Sequence, residues 1–169
     1  VNQTVVTSSA KLSKNSKLTN EILEGLPLKS LKEISVKDDN LMKKIDNIQK
    51  ILNVNFKNES LLKRAITHKS YNSKSNYEKL EFLGDRVLGL VISKKLLEIY
   101  PDEKEGILDK KFASLVNRNK CYEVGKNLNL KNFIHVANNK KSSDLIQKKI
   151  ISDCIEAIIG AIYLDQGLN

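Results

Sequence analysis

The chain of 169 residues is 40% hydrophobic but contains no tryptophan and only two prolines, which favours an all-α domain over a sheet protein. Its formal net charge of +9 is compatible with a polyanionic partner such as a nucleic acid and equally with an ordinary soluble basic protein. Its two cysteines, Cys121 and Cys154, exclude a disulfide framework and favour the cytoplasm, and its most apolar run, residues 150–164, is too short to span a membrane.

Residues 1–40 are predicted to form an N-terminal extension that is partly disordered. Residues 1–17 are polar and rich in serine and lysine, without periodicity, and are expected to lack regular structure. Residues 18–36 carry scattered apolar side chains interrupted by Gly25 and Pro27. This pattern is compatible with a short helix pair or with a docking segment, and the sequence does not decide between them.

The main domain is predicted to begin at residue 41, where helical spacing becomes regular. After a turn at residues 53–58, Asn58 can cap a second helix that ends near His68. We expect His68 to pack or to form a hydrogen bond rather than to act as a ligand or base. A polar loop leads to a long third helix, which Asn76 can cap and Pro101 ends. Further helices are predicted at about residues 108–116, 118–130 and 146–164, with a basic loop at 138–144.

The third helix carries three carboxylates on one face, because Glu78, Glu81 and Asp85 are spaced i, i+3 and i+7. Stacked acids repel one another, and no lysine or arginine repeats along that face. A hard divalent cation such as Mg²⁺ prefers oxygen ligands of this kind and would stabilise them. An apolar stripe runs beside the acids, formed by Leu80, Leu83, Val87 and Val91.

The last helix repeats the pattern, with Asp153 and Glu156 at i and i+3 in an otherwise apolar run. One such pair on an arbitrary helix is ordinarily a cap or the partner of a neighbouring lysine. Two apolar helices with stacked acids and without matching cations instead indicate a shared metal site. Mn²⁺ should substitute for Mg²⁺ because it is also a hard octahedral ion.

Four segments of the sequence together resemble one known protein family. The segment EKLEFLGD at residues 78–85 resembles the signature of the ribonuclease III family, the endonucleases that cut double-stranded RNA. AITHKSY at residues 65–71, Glu105–Gly106 and DCIEAIIGAIYLD at residues 153–165 agree with the family in order and spacing. The resemblance covers about residues 41–169. It implies the helical ribonuclease III endonuclease-domain fold and a homodimer.

The resemblance also assigns roles to individual acids. Glu81, Asp85, Asp153 and Glu156 match the metal-binding catalytic acids of the family, while Glu78 and Glu105 match two further acids of the cleavage valley. It implies Mg²⁺-dependent hydrolysis of double-stranded RNA to 5′-phosphate and 3′-hydroxyl products with short 3′ overhangs, in the processing of ribosomal and messenger RNA.

Arg86 and Cys154 depart from the family pattern, and the expected location of Phe82 depends on whether the family resemblance is considered. From the sequence alone Phe82 is expected in the core, whereas the resemblance places it in the surface of a partner subunit. Arg86 replaces a small residue, and we expect it to form a neighbouring salt bridge or an RNA contact. Cys154 lies where a small or hydroxylated residue is usual in the family, and we expect this replacement to have no effect on the chemistry. Family members generally carry a double-stranded-RNA-binding domain after this point, so either the sequence is a fragment, which we expect, or the enzyme depends on the catalytic domain alone.

Two other classes of function stay open. A non-catalytic ribonuclease III-like protein that binds RNA structurally would be expected to have lost metal ligands, and here none is lost. An unrelated basic helical protein, with acids in surface salt bridges, would show no metal-dependent behaviour. No glycine-rich phosphate loop is present, so no nucleotide cofactor is predicted.

Overall fold

The structure is a computed structural model that describes residues 3–7, 35–137 and 144–168. The chain divides into two compact units after Lys50. Residues 8–34 and 138–143 lie outside the described residues, and they hold most of the predicted helix pair or docking segment (18–36) and of the predicted basic loop (138–144).

The first unit contains a two-stranded antiparallel sheet. Strand β1, Gln3–Thr7, pairs with strand β2, Ser35–Asp38, with a register irregularity between Val5 and Thr7. The prediction that residues 1–17 lack regular structure is therefore wrong for β1. The segment QTVVT is rich in β-branched residues, which favour an extended backbone once a partner strand is available.

Six α-helices account for the rest of the regular structure in the described ranges, and the all-α prediction for the main domain is confirmed. They are α1 (Asp39–Leu52), α2 (Glu59–Ala65), α3 (Glu78–Ile99), α4 (Glu105–Leu115), α5 (Arg118–Asn127) and α6 (Asp144–Gln166), with a 3₁₀ turn at Leu130–Asn132.

Most helix ends follow the local signals in the sequence. The side chain of Asn58 accepts a hydrogen bond from the backbone N–H of Ser60 and caps α2, as predicted. The side chain of Asn76 accepts from the N–H of Glu78 at the start of α3, and α3 ends two residues before Pro101. Helix α5 runs unbroken through Gly125, where the lack of a side chain leaves room for α6, since a Cβ there would lie 2.4 Å from Cγ2 of Ile151.

Helix α6 is the centre of the second unit and packs against α2, α3 and α5. It is buried on nearly all sides from Ile150 to Ala161, which is typical of a helix surrounded by others. Helix α3 buries only part of the predicted apolar stripe: Leu80 and Val87 are buried, while Val91 is 43% exposed. The acids therefore lie where the partly exposed helix α3 packs against the buried helix α6.

Candidate metal centre

Two glycines bring the acidic faces of α3 and α6 together. A Cβ built on Gly84 would lie 1.7 Å from the carbonyl oxygen of Glu156, and one on Gly160 would lie 2.3 Å from the carbonyl oxygen of Leu80. Only residues without a side chain allow the two backbones to approach so closely. This contact places the acids one turn away on each helix opposite one another.

Three carboxylates meet at the crossing. Glu81 from α3 and Asp153 and Glu156 from α6 each offer one oxygen, and these oxygens lie within 4.8 Å of one another. Asp153 is 5% exposed, and the other two are half-buried. We call these three residues the acid cluster. Its donors are hard oxygens, which suit a divalent cation such as Mg²⁺ or Mn²⁺.

Asp85, the fourth predicted ligand, lies beside the acid cluster. It is one turn after Glu81 on α3, and it lines a cavity of about 220 Å³ together with all three members. Its carboxylate is half-exposed and lies 3.2 Å from the guanidinium of Arg86. The structure thus brings three of the four predicted ligands into one group and places the fourth on the wall of the same cavity.

Burial and neighbouring negative charges raise the pKa values of two members of the acid cluster. Burial, followed by the charges of Asp85, Asp153 and Glu81, raises the pKa of Glu156 to about 7. Burial and the charge of Asp153 likewise raise the pKa of Glu81. A cation at the centre of the acid cluster would relieve both effects.

Cations do accompany the acids, contrary to the prediction that neither helix carries matching ones. The ammonium of Lys149 lies 2.6 Å from Oδ2 of Asp153, and that of Lys69 lies 3.0 Å from Oε1 of Glu78. Lys149 precedes Asp153 by four residues, so the two side chains meet across one helical turn. Pairing with a neighbouring lysine was the alternative that the sequence left open, and the structure shows it for Asp153.

The two further acids of the predicted valley separate in the structure. Glu78 lines a cavity of about 500 Å³ together with Glu81 and Asp153. Glu105 is exposed at the start of α4 and lines neither this cavity nor the smaller one. The structure therefore brings Glu78, but not Glu105, to the acids.

The larger cavity is rich in positive charge, and we call it the basic cavity. Sequence reasoning had singled out none of the cations on its wall, which are Lys69, Arg118, Lys148 and Lys149. They come from a loop and two helices far apart in sequence, so no local pattern could have found them. The basic cavity borders the acid cluster through their shared residues Glu81 and Asp153.

His68 and Tyr77 also line the basic cavity. Nδ1 of His68 accepts a hydrogen bond from the N–H of Ser70 at 3.0 Å, and the imidazole meets the ring of Tyr77 edge-on, which confirms the predicted packing and hydrogen bond. Burial lowers the pKa of His68. The buried hydroxyl of Tyr77 donates to Oδ2 of Asp153 at 3.5 Å, and its burial raises its pKa.

Phe82 lies on the outer face of α3. Its ring is 62% exposed, so the core position expected from the sequence alone is wrong. The guanidinium of Arg86 stacks 3.7 Å from the ring centroid while pairing with Asp85, which confirms the predicted neighbouring salt bridge. Cys154 is fully buried with its thiol 3.5 Å from the carbonyl oxygen of Ala65, as a small core residue would be.

The structure is a helical domain in which two packed helices carry facing acids, an arrangement typical of metal-dependent hydrolases. Comparison with known proteins identifies its family. The sequence model described as "Ribonuclease-III-like" matches residues 58–169. Two structures of the nuclease domain of ribonuclease III from Campylobacter jejuni are similar, with TM-scores of 0.67 and 40% identity. The matches cover 73% and 75% of this chain and 87% and 86% of those chains. The chain belongs to the ribonuclease III-like family.

Curated relatives agree. The ribonuclease 3 of Pelagibacter ubique is 57% identical over 122 residues, covering 72% of this chain and 55% of that protein. The ribonuclease 3 of Ehrlichia chaffeensis is 46% identical over 130 residues, covering 74% and 58%. The chain thus spans about half the length of these relatives. Among the described residues, no helix is long and apolar enough to cross a membrane.

Proposed function

We propose that the chain is the nuclease domain of a ribonuclease III and hydrolyses double-stranded RNA with the help of Mg²⁺. The observation that carries the proposal is the convergence of Glu81, Asp153 and Glu156 within 4.8 Å at the crossing of α3 and α6. Family membership supplies the reaction class, since the curated relatives are ribonucleases.

The acid cluster would hold the divalent ion, with Asp85 completing the site from the cavity wall. When bound, such an ion supplies Lewis acidity toward the scissile phosphate and the attacking water, and Mn²⁺ should replace it. The oxygen of water would add to phosphorus as the bond to the 3′ oxygen breaks, the water would lose a proton, and the leaving 3′ oxygen would gain one. The products would therefore carry 5′-phosphate and 3′-hydroxyl ends.

The basic cavity is suited to the substrate. Its cations lie beside the acid cluster and can bind phosphates on either side of the scissile bond. Side chains read an RNA duplex through its shape, phosphates and 2′-hydroxyls rather than through its base edges. The formal charge of +9 supports a polyanionic partner, and we propose processing of ribosomal and messenger RNA as the setting.

A homodimer would supply two such sites, one for each strand, and produce short 3′ overhangs. One Campylobacter jejuni structure is described as having a flexible region involved in dimer formation. On this chain, Phe82, Leu90 and Leu97 are exposed apolar residues of α3, with exposed fractions of 58% or more. Exposed apolar residues on one helix are typical of an interface. Two unpaired, buried cysteines suit the cytoplasm.

One observation favours a second candidate, a non-catalytic relative that binds RNA structurally. Asp153 and Asp85 are each paired with a cation of the same chain, as expected of acids that have only a structural role. Glu156 argues for the nuclease, because it takes part in none of the described ion pairs although it lies within 4.8 Å of the oxygens of Glu81 and Asp153.

Cleavage of a long RNA duplex, with and without Mg²⁺, distinguishes the two candidates. The nuclease predicts Mg²⁺-dependent cutting to short duplexes by the chain and loss of cutting in Glu156→Gln. The chain spans about half the length of its relatives, so it must be shown to be folded and dimeric before a lack of cutting is interpreted. Circular dichroism and size-exclusion chromatography of the same sample provide this control. A folded dimer that binds the duplex without cutting it would favour the structural relative.

A further inference from the structure

Lys149 is the cation in closest contact with the acid cluster among the described ion pairs. Its ammonium lies 2.6 Å from Oδ2 of Asp153, the same oxygen that the hydroxyl of Tyr77 contacts at 3.5 Å. The two partners differ in environment, because the side chain of Asp153 is 7% exposed and that of Lys149 is 56% exposed. A buried carboxylate is thus neutralised by an ammonium that reaches it from solvent on a long flexible stem.

The charge of Lys149 acts on more than Asp153, because Glu81 and Glu156 each offer an oxygen within 4.8 Å of one of Asp153. One ammonium beside Asp153 therefore compensates part of the negative charge of these neighbouring carboxylates. Three carboxylates so close together would otherwise be strongly destabilising when no divalent ion is bound.

A divalent ion and the ammonium of Lys149 compete for binding to the carboxylate of Asp153. Like charges a few ångströms apart repel strongly where solvent screening is weak. An ion bound by the acid cluster would sit beside the ammonium, so its binding would have to displace Lys149 or share Asp153 with it. The exposed stem of Lys149 leaves room for such a displacement.

Resting on the metal-dependent function proposed above, we propose that Lys149 is a built-in counter-ion of the acid cluster. It stabilises the site while no metal is bound, and it competes with the divalent ion for Asp153. Lys149 is therefore a positioning residue that lowers the affinity of the acid cluster for the metal, whereas the carboxylate ligands bind the metal directly.

Titration of the chain with Mn²⁺ in the absence of RNA tests this inference. Lys149→Met removes the ammonium, and Lys148→Met is the matched control. Lys148 is the adjacent lysine, lines the same basic cavity, and lies 5.4 Å from the ring of Tyr122 rather than on an acid. Both variants remove one positive charge, so they share the long-range electrostatic effect.

We expect Lys149→Met to bind Mn²⁺ about three- to tenfold more tightly than wild type, because a competing charge-assisted hydrogen bond is lost. Lys148→Met should stay within about twofold of wild type, and Lys149→Arg should restore near-wild-type affinity. Equal or weaker binding by Lys149→Met, or an equal gain in both methionine variants, would overturn the inference while leaving the metal site intact. No Mn²⁺ binding by folded wild type would overturn the metal site as well.

Thermal unfolding supplies a second readout that does not depend on activity. In EDTA, Lys149→Met should unfold at a lower temperature than Lys148→Met, because the acid cluster has lost its counter-ion. Saturating Mg²⁺ should narrow that difference, since the ion then neutralises the acids. A difference that Mg²⁺ leaves unchanged would show an ordinary surface ion pair and contradict the proposed competition.

Discussion

The carbonyl oxygen of Glu156 lies 1.7 Å from the position that a Cβ on Gly84 would occupy. The backbones of α3 and α6 therefore touch beside the acids. A methyl group at Gly84 would meet backbone atoms, which cannot move without separating the helices.

Gly84→Ala should consequently destabilise the fold by about 3 kcal/mol or more, since overpacking against a backbone has little scope for relaxation. Gly89→Ala, on the same helix, is the control. Its Cβ would lie 3.5 Å from the ring of Phe112, an ordinary contact, and alanine favours the helix by up to about 1 kcal/mol. Chemical denaturation of both variants measures the contrast. Equal stabilities would mean that α3 and α6 do not cross as closely as described.

Metal affinity should depend on pH through Glu156, whose pKa is about 7. The protonated carboxyl cannot serve as an anionic ligand, so affinity should rise with pH, by about tenfold between about pH 6 and pH 8. Calorimetric Mn²⁺ titrations in buffers of different ionisation enthalpy should show proton release on binding at neutral pH. Binding without proton release would contradict the assigned pKa.

Neutralising single acids should affect cleavage in the order of their distance from the acid cluster. Glu81→Gln should lower the rate by about a hundredfold or more, because it removes a proposed ligand. Glu78→Gln should have a smaller effect, since Glu78 lines the basic cavity and pairs with Lys69. Glu105→Gln, at an exposed position outside both cavities, is the control for lost charge. Single-turnover cleavage of a duplex measures all three, and a defect in Glu105→Gln as large as that in Glu81→Gln would refute this order.

The exposed ring of Phe82 should matter for association rather than for folding. Phe82→Ala should weaken the dimer by about tenfold or more, because burying a phenyl ring contributes about 1.5–3 kcal/mol. Tyr71→Ala is a matched control, since Tyr71 is another aromatic residue with 62% exposure. Sedimentation equilibrium measures both. An unchanged dimer in Phe82→Ala would remove this residue from the proposed interface.

Much of the second unit could be predicted because its signals are local. The caps at Asn58 and Asn76, the end of α3 before Pro101 and the i, i+3 acids all follow from neighbouring residues. Contacts between distant residues could not be found in this way. Asp165 belongs to the family-like segment, yet its function here emerges only in three dimensions: its carboxylate accepts hydrogen bonds from the N–H groups of Lys57 and Asn58 at 2.8 Å.

The errors have equally specific causes. Phe82 lies in a mostly apolar segment, and periodicity alone cannot tell a core position from an exposed apolar one. The strand β1 is rich in β-branched residues, but it forms only by pairing with β2, about thirty residues away, and that partner could not be identified from the local sequence. The pairing of Lys149 with Asp153 could not be separated from a metal site in the sequence, because the i, i+4 spacing permits the ion pair while the stacked acids also favour a metal.

A crystal structure of the chain grown with Mn²⁺, with the ion located by its anomalous scattering, tests the central claim most directly. We expect one ion at about 2.1 Å from carboxylate oxygens of Glu81, Asp153 and Glu156, with the ammonium of Lys149 moved off Asp153. An acid cluster that stays without an ion at saturating Mn²⁺, with Lys149 still on Asp153, would contradict it.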